Sequence, residues 1–589
     1  MRILGIYLLF FAISGTVSNI TAQKQPNVIL VLTDDQGIGD LGAHGNPWIK
    51  TPNIDKFYKE SVRMTDFHVS PLCTPTRAAI MTGRYPINNG AWATFKGRDA
   101  LSNATTMADM FKQNGYKTAL FGKWHLGDNY PNRPTDSGFE IAVHHLAGGV
   151  GELSDYWGNS YFDDVYFVNN EPKQFKGYCT DVWFNETIKF IDQNKDEPFF
   201  IYLSTNAPHD PLIVAEEYAK PYQHLEGKEI ISANLYGMIA NIDENFGKLR
   251  EYLEDSDLED NTILIFMTDN GTRFGYSPDG KFGYNKGFEG IKGDKLEGGH
   301  RVPFFIRWPE GKINGGTDLK ALTAHVDIVP TLAGLCELNI PESMHPDGID
   351  FSPLLFKANK NLIERSVFMH SRQDWRPPKD VMETCILKDK WRLLHGKQLY
   401  NIENDPKQQQ DLSEDHPEIV SQLLEENAAF LKETKENSEY YELPLAIAGH
   451  EAQQELTFTI QHAIGEDGGI WKTEQVAAGI KNKNNTHALE IAKKGTYIIS
   501  CRRWPKEHPG PILGLPLQTR SDDFAYKAIT PEKVRIQIAN LILEKEIVPG
   551  DLEVIFNVEL DKGKTLLIND FLEDDNSYGV YYTYVKREQ

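Results

Sequence analysis

Four unbroken apolar runs in the first half of the chain stop abruptly at polar clusters. Residues 27–33 (NVILVLT) run into Asp34 and Asp35, and 117–121 (KTALF) run into Gly122, Lys123, Trp124 and His125. Residues 198–205 (PFFIYLST) lead to Asn206, Ala207, Pro208 and His209, and 262–268 (TILIFMT) lead to Asp269, Asn270 and Gly271. Short continuous apolar runs bounded by turn residues predict strands covered on both faces, as in a parallel sheet. Helical patterns lie between them, for example at 106–114 and 233–253. Alternating strand and helix predicts an α/β fold. Open α/β sheets bind ligands beyond the carboxyl ends of their strands, so the four polar clusters are expected to converge on one site.

The pattern changes further along. Residues 390–431 predict two strands, a turn at Leu399, Tyr400 and Asn401, and a helix with apolar Ile419, Leu423, Leu424 and Phe430. The charged stretch from Lys432 to Glu442 reads as a linker. Beyond it, alternation at 495–505, 533–543 and 551–560 predicts a β-sandwich. The expected units are an α/β domain over 23–365, a small antiparallel-sheet subdomain with a helix over 366–445, and a sandwich over 446–589.

Composition narrows the possible partners. Among 589 residues, 61 Lys and Arg face 84 Asp and Glu, a net charge of −23. That balance speaks against nucleic acid. An anionic ligand then needs a local basic pocket. The N-terminus has Arg2, an apolar stretch from Ile3 to Ile13 and small residues ending at Ala22. This reads as a signal peptide over 1–22, too short to span a bilayer, so the protein is expected to be exported, periplasmic or secreted, with no membrane span. The five cysteines are an odd number with neither disulfide-framework nor zinc spacing. Cys179, Cys336, Cys385 and Cys501 read as structural.

Cys73 differs from these four. Pro75 suits a first helical turn, and Ala78, Ala79, Ile80 and Met81 continue a helix able to bury one side. Cys73 then stands at a helix N-terminus, which favours an anion, with Arg77 one turn on. Asp34, Asp35, Asp269 and Asn270 are hard oxygen donors that suit Ca²⁺, suit Mg²⁺ less well, and do not suit zinc. Arg77, Lys123, His125 and His209 add cationic groups. A metal among cations describes a pocket for a tetrahedral oxyanion, and both phosphate and sulfate fit that description.

With these residues in place, the chain resembles the type I, formylglycine-dependent sulfatases of the alkaline phosphatase superfamily. Cys73-Thr74-Pro75-Thr76-Arg77 matches their Cys-x-Pro-Ser/Thr/Ala-Arg signature, with threonine where serine is commonest. The segments TDDQGIGDLGAHG (33–45), GYKTALFGKWHLG (115–127), APHDP (207–211), TDNG (268–271) and GIKGDKLEGGHRVPFF (290–305) match further family motifs in order. The likeness covers roughly 25–440. It implies an alkaline-phosphatase-like α/β core with a mixed, mostly parallel sheet flanked by helices, followed by the small antiparallel subdomain; the sandwich is additional.

The resemblance also implies roles by position. Cys73 would be oxidised by a maturation enzyme to formylglycine, whose hydrated aldehyde attacks sulfur and later expels sulfate. Asp34, Asp35, Asp269 and Asn270, with the modified Cys73, would hold Ca²⁺. Arg77 would stabilise the nucleophile. Lys123, His209 and Lys292 would bind sulfate, with His209 or Lys292 protonating the leaving alcohol, and His125 would take the diol proton. The implied substrate is a sulfated carbohydrate or another sulfate ester. A phosphodiesterase or phosphonate monoester hydrolase of the same superfamily is the enzymatic alternative, and an inactive glycan-binding homologue the non-catalytic one. His44, Trp92, Arg98, His144, His145, Trp157, Arg273 and Phe274 lie near motif loops and are candidates to line the pocket. The catalytic set is complete by Lys292, so the sandwich is expected to hold no metal or sulfate ligand. Its Arg502, Arg503 and Trp504 are expected at an interdomain contact rather than a glycan.

Overall fold

The computed structural model describes residues 25–94, 101, 104–356, 364–373, 376, 383–437, 443–518 and 525–588. The signal-peptide segment, Arg98 and the end of the expected linker lie outside them.

All four apolar runs form strands. Asn27–Thr33, Lys117–Lys123, Phe199–Ser204 and Thr262–Thr268 are the heart of a ten-stranded sheet, with every residue but Lys117 buried. The five central strands, in order Thr262–Thr268, Asn27–Thr33, Phe199–Ser204, Lys117–Lys123 and Ile141–His145, pair parallel throughout. Antiparallel strands extend both edges, including Phe304–Arg307 and Val165–Val168. Cores lie on both faces of the sheet, which is why these strands carry no polar alternation. Among the flanking helices, Met107–Gln113 starts at a capping box in which Thr106 and Asp109 satisfy each other's backbone N–H. The long Ala233–Asp255 begins at Ser232, whose hydroxyl accepts from Leu235 N–H.

The helix Cys73–Thr82 departs from the one-sided burial expected of it: all ten residues are buried. Ala78, Ile80 and Met81 join the core of the sheet, while Ala79 packs into the core of the following subdomain. The helix is a wedge between two cores, and a local apolar pattern does not reveal the second.

That subdomain holds four antiparallel strands, Val367–His370, Thr384–Lys388, Trp391–Leu394 and Gln398–Asn401. Leu399, Tyr400 and Asn401 therefore lie in a strand rather than the expected turn; the chain reverses just before, where His395 and Gly396 take positive φ. The helix Pro417–Asn437 continues through Lys432, so the expected linker begins as helix. A buried ion network joins this subdomain to the α/β domain. Arg392 donates to Glu297 at 2.7 Å and to Asp66 at 3.1 Å, and Arg301 donates to Glu297 at 2.7 Å. His68 lies 2.9 Å from Asp66 in the same cluster.

Beyond residue 445 two sheets face a common core. One contains Ala446–Ala448, Thr486–Ile491, Gly563–Glu573, Lys533–Ile538 and Leu541–Glu546; the other contains Glu455–Thr459, Tyr582–Arg587, Gly495–Arg502 and Val554–Leu560. Val554–Leu560 alternates buried and exposed at every residue, the signature of a sheet with one wet face. The alternation at 533–543 contains two strands of a hairpin, joined where Ala539 takes a φ of 52°.

Candidate active site

The parallel strands bring their polar ends together, as expected. Thr33 and Thr268 are register partners on adjacent strands, so Asp34–Asp35 and Asp269–Asn270 emerge side by side. Lys123 ends its strand nearby, and Cys73 opens its helix over the same point. Asp35 takes a φ of 62° and His125 a φ of 57°, left-handed conformations uncommon for residues other than glycine.

The charged groups interlock. Arg77 is fully buried and donates to Asp269 Oδ2 from Nε at 3.1 Å and from a terminal nitrogen at 2.7 Å. Its other terminal nitrogen donates to the Ser204 hydroxyl. Lys123 Nζ donates to Asp34 Oδ2 at 2.6 Å. Lys292 Nζ lies 2.6 Å from Asp35 Oδ1, and His209 Nε2 lies 3.7 Å from Asp35 Oδ2. Asn270 donates to Asp35 Oδ1 at 2.9 Å. The residues expected as catalytic, sulfate-binding or metal-binding groups are thus gathered at one point.

Buried Asp34 Oδ1, Asp35 Oδ2 and Asn270 Oδ1 accept no hydrogen bond. Orphaned buried oxygens of this kind are costly unless a cation satisfies them. Burial and the neighbouring Asp34 push the Asp269 carboxyl up to about 6, despite Arg77. A hard divalent cation would relieve both problems, and the donor set is all oxygen, so the residues present fit Ca²⁺.

Both lysines stay protonated. Burial opposes their charge, but Asp34 for Lys123 and Asp35 for Lys292 outweigh it and raise their pKa values. The histidines go the other way. Burial, with Lys123 and Arg77, drives His125 well below its ordinary value, so it is neutral. Burial also lowers His209, helped by Lys292 and Lys123 and partly offset by Asp35. Burial raises the Cys73 thiol more than the lysines lower it, so the unmodified side chain is no ready thiolate despite its helix N-terminus.

Cys73, His125, His209 and Lys292 open into a cavity of about 780 Å³. Arg77, Lys123, Asp34 and Asp269 lie buried behind them. Of the pocket-lining candidates, Arg273 reaches this cavity. Trp157 instead stacks on His508 at 4.9 Å and meets Trp504 edge-on at 5.6 Å, inside the core of the C-terminal sheets. His44 Nδ1 donates to the Ile38 carbonyl, and the ring packs edge-on against Tyr58 and Phe305. His145 lies buried 6.3 Å from Trp183, Trp92 is buried, and Phe274 packs against a peripheral core. His144 lines a separate groove toward the C-terminal sheets.

Sequence reading missed two parts of the wall. One is Gly148–Glu152, where a side chain at Gly148 would come within 2.6 Å of the His125 ring. The signal was present: AGGVGE is glycine-rich, and glycines often mark close approach. The other is Trp471–Gln475, which comes from beyond the expected catalytic region and carried no signal. Arg503 is also not at a surface: its guanidinium donates to the Val476, Ala477, Gly514 and Lys527 carbonyls within its own domain. Trp504, by contrast, does reach the interdomain contact through Trp157.

A parallel-sheet α/β fold with a buried, cation-rich pocket at its strand ends defines a hydrolase class that acts on tetrahedral oxyanion esters. The chain belongs to the sulfatase family: the Sulfatase family model matches residues 26–338, and the model for the N-sulphoglucosamine sulphohydrolase C-terminal region matches 294–435. It is an enzyme of the sulfatase type. The human N-acetylgalactosamine-6-sulfatase is 29% identical over 372 residues, covering 59% of this chain and 69% of that protein. An N-acetylgalactosamine-6-O-sulfatase of Bacteroides thetaiotaomicron is 28% identical over 486 residues, covering 68% of this chain and 92% of its own length. Among solved structures, Ps i-CgsB in complex with k-i-k-neocarrahexaose is similar with a TM-score of 0.63 and 28% identity, covering 72% of this chain and 95% of that one. Among the described residues no helix is long and apolar enough to cross a membrane.

Proposed function

We propose that this protein hydrolyses sulfate esters of carbohydrates, with Cys73 converted to formylglycine and Ca²⁺ bound beside it. One observation carries the reading: Cys73 opens into the cavity beside three cationic side chains, Arg77, Lys123 and Lys292, and three orphaned oxygens. The names of the human, Bacteroides and carrageenan-bound relatives support a sulfated sugar as the alcohol half.

Formylglycine would supply a hydrated aldehyde as nucleophile, and Ca²⁺ held by Asp34, Asp35, Asp269 and Asn270 would supply Lewis-acid charge. The chain's own residues account for the rest. Lys123 and Lys292, kept charged by their aspartates, bind the ester's sulfate oxygens. Arg77, fully buried and locked on Asp269, holds positive charge behind residue 73. His209 Nδ1 lies 2.7 Å from the Asp210 carbonyl, which can only accept, so Nδ1 carries a hydrogen. That leaves Nε2 as the nitrogen aimed at the leaving alcohol, but the lowered pKa keeps the ring mostly neutral. Lys292, held protonated beside Asp35, is therefore the better-charged proton donor, and His209 donates only in its imidazolium form. Neutral His125, with Nδ1 toward residue 73, takes a proton from it.

The test is a parallel assay of the matured protein on an aryl sulfate and an aryl phosphodiester, followed by desulfation of sulfated glycans. Turnover of the sulfates is expected. Preference for the phosphodiester would overturn the reading.

A further inference from the structure

The catalytic cavity has a wall supplied by the C-terminal sheets. Trp471, Lys472 and Glu474 line the same cavity as Cys73 and Lys292. Both family matches end by residue 435, so this wall is an addition to the shared sulfatase site.

Several contacts hold it in place. Leu153 N–H donates to Trp471 O at 2.7 Å, and Glu152 and Lys472 form an antiparallel bridge. The Gln475 side-chain oxygen accepts from the N–H groups of Trp471 and Lys472 at 2.8 and 3.0 Å. Behind the segment, Val476 and Ala477 are buried in the C-terminal core. On the other side of the bridge, the Glu152 carboxylate accepts from Gly148 N–H at 3.1 Å and from the Gln461 amide at 2.6 Å. Leu153 and Trp157 sink into the C-terminal core. One domain thus holds both the new segment and the loop that packs on His125.

We propose that this wall recognises the sugar that carries the sulfate ester, with the Trp471 indole against an apolar ring face and Lys472 and Glu474 bonding its hydroxyls or ring substituents. The proposal rests on the sulfate-ester reading above. The division of chemistry supports it. The buried cations satisfy a sulfate group, whereas the wall offers one aromatic, one cation and one carboxylate, a set without net charge. An amphipathic ring plus hydrogen-bonding tips suits a polyhydroxylated, partly apolar ligand. Pre-set side chains on a braced segment lose little entropy on binding.

The experiment compares kcat/KM on 4-nitrophenyl sulfate with that on oligosaccharides prepared from chondroitin sulfate, heparan sulfate and carrageenan. Trp471→Ala and the double variant Lys472→Ala/Glu474→Ala are measured against wild type, with thermal melting as a check on folding. For each variant, the loss on the best saccharide should exceed the loss on the aryl sulfate by about 10-fold or more, mainly through KM. Should Trp471→Ala fold poorly, the double variant at two exposed positions decides the matter. Equal losses on both substrates overturn the proposal while leaving the sulfatase reading intact. So does a wild type active on the aryl sulfate but on none of the saccharides. A wild type that turns over neither overturns the sulfate-ester reading itself.

Discussion

His125 Nδ1 stands 3.4 Å from Cys73 Sγ, although the two residues come from different elements 52 positions apart. The ring can stand there because its backbone takes a left-handed turn and Gly148 has no side chain to collide with it. His125→Ala should lower kcat on an aryl sulfate by about 10²–10⁴-fold with a small change in KM. Steady-state kinetics on the folded variant check this, and a wild-type kcat would remove His125 from proton transfer.

Cys73 should be converted to formylglycine when the chain is made alongside a cysteine-type maturation system. Mass spectrometry of the peptide containing residue 73 should find an aldehyde or its hydrate in place of the thiol. A fully active preparation with an intact thiol would end the proposed chemistry.

Asp269→Asn should remove bound calcium and activity together, because Asp269 is at once an oxygen donor and the partner of buried Arg77. Breaking a buried ion pair costs about 3–5 kcal/mol, and the isosteric amide keeps the shape and one acceptor, so the melting temperature should fall without unfolding the protein at room temperature. Elemental analysis of wild type and variant reads the metal. Zinc in place of calcium, or an active metal-free wild type, would contradict the assignment.

Acid should loosen the contact between the α/β domain and the small subdomain. Burial pushes the Asp66 carboxyl up, but Arg392, His68 and Arg301 outweigh it and hold it at about 2, against 3.8 unperturbed. A depressed carboxyl contributes stability that is full above the unfolded value and is lost as pH falls through the folded value. The window is therefore between about pH 4 and pH 2, and the loss is roughly 2–3 kcal/mol. Urea unfolding across this range should show it, and Asp66→Asn should flatten the pH dependence.

Trp157→Ala should free the 147–160 loop from the C-terminal core and thereby lower turnover of aryl sulfate as well as glycan. Opening that contact removes an aromatic worth about 3–5 kcal/mol of packing. Hydrogen exchange should rise first at Gly148–Leu153. Unchanged protection there would show that the loop stands without the second domain.

Much of the site was legible in the sequence because its residues sit at strand ends, and strand ends are announced locally. An apolar run such as NVILVLT and its polar terminus Asp34-Asp35 are adjacent in the chain. Parallel topology then forces several such termini to one edge of the sheet. The alkaline-phosphatase-like core and the gathering of Cys73, Lys123, His209 and Lys292 follow from that rule and from motif order. Other features were hidden because their causes are distant in the chain. Helix Cys73–Thr82 is buried all round because a subdomain beginning nearly 300 residues later covers its second side. Trp157 resembled a pocket residue by its place in a loop near the motifs, but Trp504 and His508 draw it into another core. Trp471–Gln475 reaches the pocket through interdomain contacts at Glu152 and Leu153 that no periodicity encodes. The sequence by itself determined which reactive groups stand at the strand ends and motif loops, since reactivity belongs to side chains and short spacings. The tertiary structure alone decided what encloses them, since packing joins surfaces that local pattern treats as unrelated.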